Sequence, residues 1–154
     1  MATLLLMGYM DYRGTYIVVL KSEQPNTVQI GKLGLLGIHK GYYVYIGSAM
    51  GPGGVMARLR HHRKISQRPH WHLDYLRAQM EFYQAYALFS LERKECECAN
   101  LMSKSEIASE PINGFGSSDC HCRTHLFYFS SHTKMVTAIS RISEAGRINL
   151  DLLC

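Results

Sequence analysis

Gly14-Thr15-Tyr16-Ile17-Val18-Val19-Leu20 and Tyr42-Tyr43-Val44-Tyr45-Ile46-Gly47 are the two runs that decide how this chain folds. Both are rich in β-branched and aromatic residues, the composition of strands packed on a core. The second gives way to Gly51-Pro52-Gly53-Gly54, which breaks the strand, and then to Val55-Met56-Ala57-Arg58-Leu59-Arg60-His61-His62-Arg63-Lys64, a run with helix formers. At helical period Val55, Leu59 and His62 fall on one side, and Arg58 and His62, four residues apart, share a face. Two strand tyrosines, Tyr16 and Tyr45, therefore come before a helix that carries an arginine and a histidine.

Working outward, residues 28–33 read as a further strand, separated from 14–20 by the turn chemistry of Gln24-Pro25-Asn26. The glycines at 31, 34, 37 and 41 suggest a hairpin with bends or bulges before the strand at 42–47. After Arg68-Pro69, residues 70–78 predict a short helix with Trp71, Tyr75 and Leu76 on its apolar side, and 80–89 a strand. Residues 91–103 predict a helix whose stripe is Leu91, Cys98, Leu101 and Met102, with Glu95 falling inside it. A loop over 113–124, a strand over 126–129 and a helix over 135–145 ending at Gly146 complete the chain. Strands and helices mix without regular βαβ alternation, so the expectation is an α+β fold, a small and mostly antiparallel sheet flanked by helices, in one domain spanning 1–154.

The 154 residues are 47% hydrophobic, enough for a core, and 19% charged with only 4 prolines, which argues against a long disordered tail. The net charge of +5 is concentrated: Arg58, Arg60, Arg63, Lys64, Arg68 and Arg77 stand against Asp74 alone. Arg60, Arg63, Lys64 and Arg68 form a candidate phosphate-binding face, and Trp71 a stacking platform for unpaired bases. A solvated basic helix is the plainer reading of the same charges. Five cysteines, an odd number, occur without a signal-peptide pattern, and no apolar run approaches the ~20 residues of a membrane span, so a reduced, cytoplasmic location is expected.

The motifs Gly14-Thr15-Tyr16 and Tyr45-Ile46-Gly47, with Arg58 and His62 following, resemble the GIY-YIG nuclease family, threonine replacing isoleucine in the first motif. GYYVYIGSAMGPGG, RPHWHLDYL, Glu95-Cys96-Glu97-Cys98-Ala99 and GFGSSDCHC with HLFYF, in that order over about residues 14–129, are similar to its DUF123 or Uri-type branch. The resemblance implies a metal-dependent endonuclease that hydrolyses phosphodiester bonds in DNA. It implies that Tyr16 lies beside the scissile phosphate as general base, that Tyr45 shares its hydrogen-bonded site, that Arg58 pairs with phosphate, and that a helical glutamate holds one Mg²⁺ or Mn²⁺.

The residue chemistry is compatible with those roles. A phenol with a pKa near 10 needs a cation or metal to serve as a base, guanidinium offers phosphate a planar fork, and His62 can shuttle a proton or bind phosphate. Glu95 is the preferred metal ligand, because Cys98 and Ala99 follow at three and four positions and a carboxylate in an apolar stripe calls for a partner. Glu97 competes for that role, pointing about 200° away on the same helix. Cys120, Cys122 and His125, with help from Cys96, Cys98, His70 or His72, are a lesser candidate for structural zinc. His70-Trp71-His72-Xaa-Asp74 reads as a packed tryptophan with histidines hydrogen-bonded to Asp74, ahead of a metal site. The alternative function is a non-catalytic nucleic-acid-binding accessory module on the same scaffold. With no second domain recognised, sequence specificity would come from a partner protein.

Overall fold

Strand β1 (Gly14–Ser22) is buried along both faces, which is why its sequence is a continuous apolar run rather than an alternating one. In the computed structural model, which describes residues 12–146 and 150–153, it is the centre of a five-stranded sheet. Its neighbours are β4 (Gly41–Ala49) and β5 (Glu81–Phe89), with β6 (Leu126–Phe129) beyond β4 and β7 (Asp151–Leu153) beyond β5. Every pairing is antiparallel. Four α-helices are seen among the described residues: α1 (Gly54–Arg63), α2 (His72–Arg77), α3 (Glu95–Ser103) and α4 (His132–Ala145). The fold is α+β, as expected.

The pleat of β1 sorts its side chains into two cores. Tyr16, Val18 and Leu20 pack with Tyr43, Tyr45, Val55, Leu59, Leu73 and Leu76, under α1 and α2. Ile17 and Val19 pack with Val44, Ile46, Cys98, Met102, Ile139 and Ile142, under α3 and α4. The sheet is thus the middle of three layers, and each fully buried aliphatic side chain contributes about 1.5–3 kcal/mol of transfer free energy. In the β1–β4 ladder Tyr16 stands opposite Gly47 and Val18 opposite Tyr45, so the two tyrosines share the α1 face as diagonal neighbours.

Several boundaries differ from expectation. The strand predicted over 28–33 is β2 (Asn26–Ile30), and the glycine tract holds a strand of its own, β3 (Gly34–Ile38), paired with β2 in a separate two-stranded sheet. Gly31 and Gly34, at φ 45° and 113°, allow the tight 3₁₀ turn Gly31–Leu33 between them. Leu36 and Ile38 then alternate into the core, while Leu35 stays exposed. Helix α3 begins at Glu95, not at residue 91: Leu91 is exposed, and the Lys94 N–H is taken by Thr15 Oγ1 at 3.2 Å. In α2 the buried residues are Leu73, Asp74 and Leu76, with Trp71 at the cap, rather than a Trp71-Tyr75-Leu76 stripe. Helix α4 starts three residues before the predicted 135, where Ser131 Oγ accepts the Lys134 N–H at 3.2 Å. No described helix is long and apolar enough to cross a membrane.

Candidate active site

Tyr16, Tyr45, Arg58 and Glu95 come from β1, β4, α1 and α3 and line one cavity of about 540 Å³. The loop over residues 113–125 closes its side, contributing Gly116, Asp119, Cys120 and His125. His62 lies behind Tyr16: its Nε2 is 2.9 Å from the Tyr16 hydroxyl, and both residues are 1% exposed. Residues 46 positions apart in sequence meet because β1 and α1 pack on the same face.

Two glycines make room for the phenols. The Tyr16 ring lies on Gly47, its ladder partner, where a methyl group would stand 2.5 Å from the hydroxyl oxygen. Gly116, at φ 68°, abuts Tyr45, and a Cβ there would lie 2.6 Å from the ring. The loop bearing Gly116 is fixed by Gly116 N–H donating to His72 Nδ1 at 2.8 Å, by His125 N–H donating to Phe115 carbonyl at 2.8 Å, and by the fully buried Phe115 ring against Tyr45.

Burial governs the protonation of this group. It holds the Tyr16 pKa well above the usual phenol value, with the neighbouring Tyr45 adding to the effect and Arg58 opposing it. Burial likewise pushes Tyr45 up to about 12. It drives His62 down to about 4, helped by His61 and opposed by Asp74, so the imidazole is neutral near pH 7. His62 Nδ1 lies 4.0 Å from Asp74 Oδ1, which favours the proton at Nδ1 and leaves Nε2 to accept from the Tyr16 hydroxyl.

Asp74 has a larger place than its sequence context suggests, since it ties the start of α2 to the histidines of α1. It is 1% exposed, and burial works to raise its pKa, yet the net shift is downward. Oδ2 accepts the His70 and Trp71 backbone N–H groups at 2.9 and 3.0 Å, and Oδ1 is 2.8 Å from His61 Nε2. The expected histidine partnership is real but involves the His61 side chain, not those of His70 or His72. His61, His62 and Asp74 form a compact cluster of possible metal ligands, in which Asp74 Oδ1 and His61 Nε2 already bond to each other while His62 Nδ1 is buried without a hydrogen-bond partner. The Arg58 guanidinium lies 4.2 Å from the Trp71 ring centroid, which fixes it at the cavity wall.

Glu95 and Glu97 part company at the start of α3. Glu95 lines the cavity, and its Oε2 is buried without a hydrogen-bond partner, whereas Glu97 is 45% exposed and pairs with Lys94 Nζ at 3.3 Å. An orphaned carboxylate oxygen facing a polar cavity fits a hard cation. Arg93, exposed in the turn before α3, joins the lining and was not anticipated; no periodicity marks it.

The basic face is only partly drawn into the site. Arg60, Arg63, Lys64 and Arg68 are exposed and lie outside the cavity lining. Arg63 packs on the Phe82 ring at 5.3 Å, and Arg77 is tied to the Met80 and Arg63 carbonyls at 2.9 Å each. Trp71 does line the cavity, but Arg58 and His61 cover its ring, which leaves less surface for base stacking than the sequence suggested. Cys120, Cys122 and His125 are brought together with Cys96, while Cys98 is buried in the core under α3 and stands apart.

These features define a three-layer α+β protein with a polar cavity built on two buried tyrosines, a neutral histidine, an arginine and a carboxylate. The chain belongs to the family described as a domain of unknown function, DUF123, which it matches over residues 15–147. No curated protein matches it, and neither does any solved structure.

Proposed function

We propose that this protein is a GIY-YIG-type endonuclease that hydrolyses phosphodiester bonds in DNA with one divalent ion, Mg²⁺ or Mn²⁺. The observation that carries the reading is the convergence of the Tyr16–His62 hydrogen bond, Tyr45, Arg58 and the partnerless Glu95 oxygen at a single cavity. Glu95 would hold the cation, whose chemistry is to polarise a phosphoryl oxygen and lower the pKa of bound water.

The protein's own groups divide the remaining work. Arg58, stacked on Trp71, presents fixed positive charge to a phosphate, and Arg93 adds a second cation at the wall. Tyr16 rests protonated, with its proton directed to neutral His62, so it acts as a base only as that proton passes to Nε2. Arg58 stabilises a Tyr16 phenolate and opposes a charged His62, so it promotes loss of the Tyr16 proton but not its retention on the imidazole. Gly47 keeps the phenol in contact with the cavity.

The same burial supports a second reading, a nucleic-acid-binding accessory module without turnover, because neither phenol ionises near pH 7 unaided. Incubation with single-stranded, duplex and branched DNA and RNA in Mg²⁺, Mn²⁺ or EDTA separates the two. The nuclease reading expects divalent-dependent cleavage that falls about 100-fold or more in Tyr16→Phe and Arg58→Ala while binding of Tyr16→Phe is retained. Binding without cleavage of any substrate in the panel supports the accessory reading. Undiminished cleavage by both variants, in preparations free of contaminating nuclease, removes these residues from the mechanism.

A further inference from the structure

The four residues Cys96, Cys120, Cys122 and His125 have one ligand atom each, and all four atoms lie within 4.8 Å of one another. They come from three places: Cys96 from the first turn of α3, Cys120 and Cys122 from the loop, and His125 from the entry to β6. We propose that they form a closed tetrahedral zinc site that fastens the 113–125 loop to α3.

The geometry is that of a tetrahedron awaiting its centre. With Zn–S of about 2.3 Å and Zn–N of about 2.0–2.1 Å, tetrahedral angles put a sulfur and a nitrogen about 3.6 Å apart and two sulfurs about 3.8 Å apart. Cys120 Sγ lies 3.5 Å from His125 Nε2, matching the first edge, and the 4.8 Å limit on all pairs leaves every edge within a small side-chain adjustment of the rest. Three thiolates and one imidazole favour a borderline-soft ion and fill four positions, the ligand count of a structural rather than a catalytic zinc.

The surroundings keep the donors in position. The His125 backbone is fixed from both sides, its N–H donating to Phe115 and its carbonyl accepting from Ile46 at 3.0 Å, so the imidazole projects from a rigid point. Cys120 sits in a turn closed by its N–H to the Ser117 carbonyl at 3.3 Å. Between Asn113 and His125 no regular helix or strand supplies a backbone ladder, and a four-coordinate ion supplies the missing cross-link. It would thereby secure Gly116 against Tyr45 and the Glu95 end of α3 against the cavity. Cys98, two residues from Cys96, faces the core and takes no part.

Metal content is read on the whole protein without nucleic acid, so this proposal stands or falls apart from the cleavage reading. Protein made in zinc-containing medium and purified reduced, without added metal, is expected to carry about one zinc per chain by elemental mass spectrometry. Cobalt exchanged into the site should give the intense thiolate-to-metal and tetrahedral visible bands. Cys98→Ser should keep the metal and Cys122→Ser should lose it. If Cys122→Ser fails to fold, the cobalt spectrum of the unsubstituted protein decides. Reduced protein that binds neither zinc nor cobalt, a metal-free product with a disulfide within the cluster, or equal metal loss in Cys98→Ser and Cys122→Ser would each overturn the assignment.

Discussion

Gly47→Ala is the sharpest probe of the tyrosine site, since it adds one methyl group and removes no polar group. That methyl would stand 2.5 Å from the Tyr16 hydroxyl oxygen and closer still to the ring carbon bearing it. Ordinary non-bonded contact needs about 3.5 Å, so the phenol must retreat by roughly 1 Å. Tyr16 is 1% exposed and close-packed except where it meets the cavity, so the phenol can yield only towards that space, and its 2.9 Å bond to His62 is broken or severely bent. Overpacking of this kind costs about 1–3 kcal/mol, or a fall in Tm of about 2–4 °C per kcal/mol for a chain of this size. A 1 Å displacement of a reacting group costs on the order of 100-fold in rate, so cleavage should drop far more than the population of folded protein. Thermal unfolding, the imidazole NMR signals of His62 and the cleavage assay together test this. A variant with unchanged Tm and an unchanged His62 resonance would refute the packing argument, whatever its activity.

Three other perturbations have definite expected outcomes. Folding lowers the His62 pKa from 6.5 to about 4, so the folded state binds fewer protons; the resulting stability, about 3 kcal/mol, is present above pH 6.5 and lost as pH falls towards 4. His62→Gln should shallow that slope, leaving the part due to His72 and His125, which burial also depresses; an unchanged slope in urea titrations across this range would count against His62 as its source. Glu95→Gln should lose divalent-dependent cleavage and keep its fold, whereas Glu97→Gln, which gives up only a surface pair with Lys94, should be mild; the reverse result in a metal titration would give Glu97 the ligand role. Replacing Arg60, Arg63, Lys64 and Arg68 together by glutamine should reduce the salt slope of DNA binding by about 0.9 for each phosphate that these side chains neutralise, and an unaltered slope would place the DNA elsewhere.

What was legible in the sequence is what local pattern encodes. The unbroken apolar run of β1 follows from burial on both faces, and the Val55-Leu59-His62 spacing marks the buried side of α1. Strand β3 was hidden because three glycines in seven residues resemble a bend, and only its pairing with β2 reveals a strand. Strand β7, three residues long, depends on the β5 edge and carries no pattern of its own. In the site, Tyr16, Tyr45, Arg58 and Glu95 were found from motif order and helical register. Asp74 reads in the sequence as a partner for the histidines beside it, and its link to His61 was hidden because it spans 13 residues. Cys96 was one of four possible helpers for the 120–125 cluster until the ends of α3 and β6 met in space.

The consecutive histidines of α1 explain how an ionised carboxylate and a neutral imidazole can occupy one small volume. Successive helical residues point about 100° apart, so His61 turns towards Asp74 and Trp71 while His62 turns under Tyr16. Asp74 Oδ1 approaches His61 to 2.8 Å but stays 4.0 Å from His62 Nδ1. At the shorter distance the carboxylate has a hydrogen-bonding partner, His61, that is about one-third exposed. At the longer distance it orients the His62 tautomer without stabilising imidazolium enough to offset burial, and His62 stays depressed to about 4. Had the two roles been exchanged, a buried and charged His62 would have no lone pair at Nε2 for the Tyr16 proton. The order His61-His62, rather than the presence of two histidines, is therefore what lets Tyr16 donate its hydrogen bond inward and keep its oxygen available to the cavity.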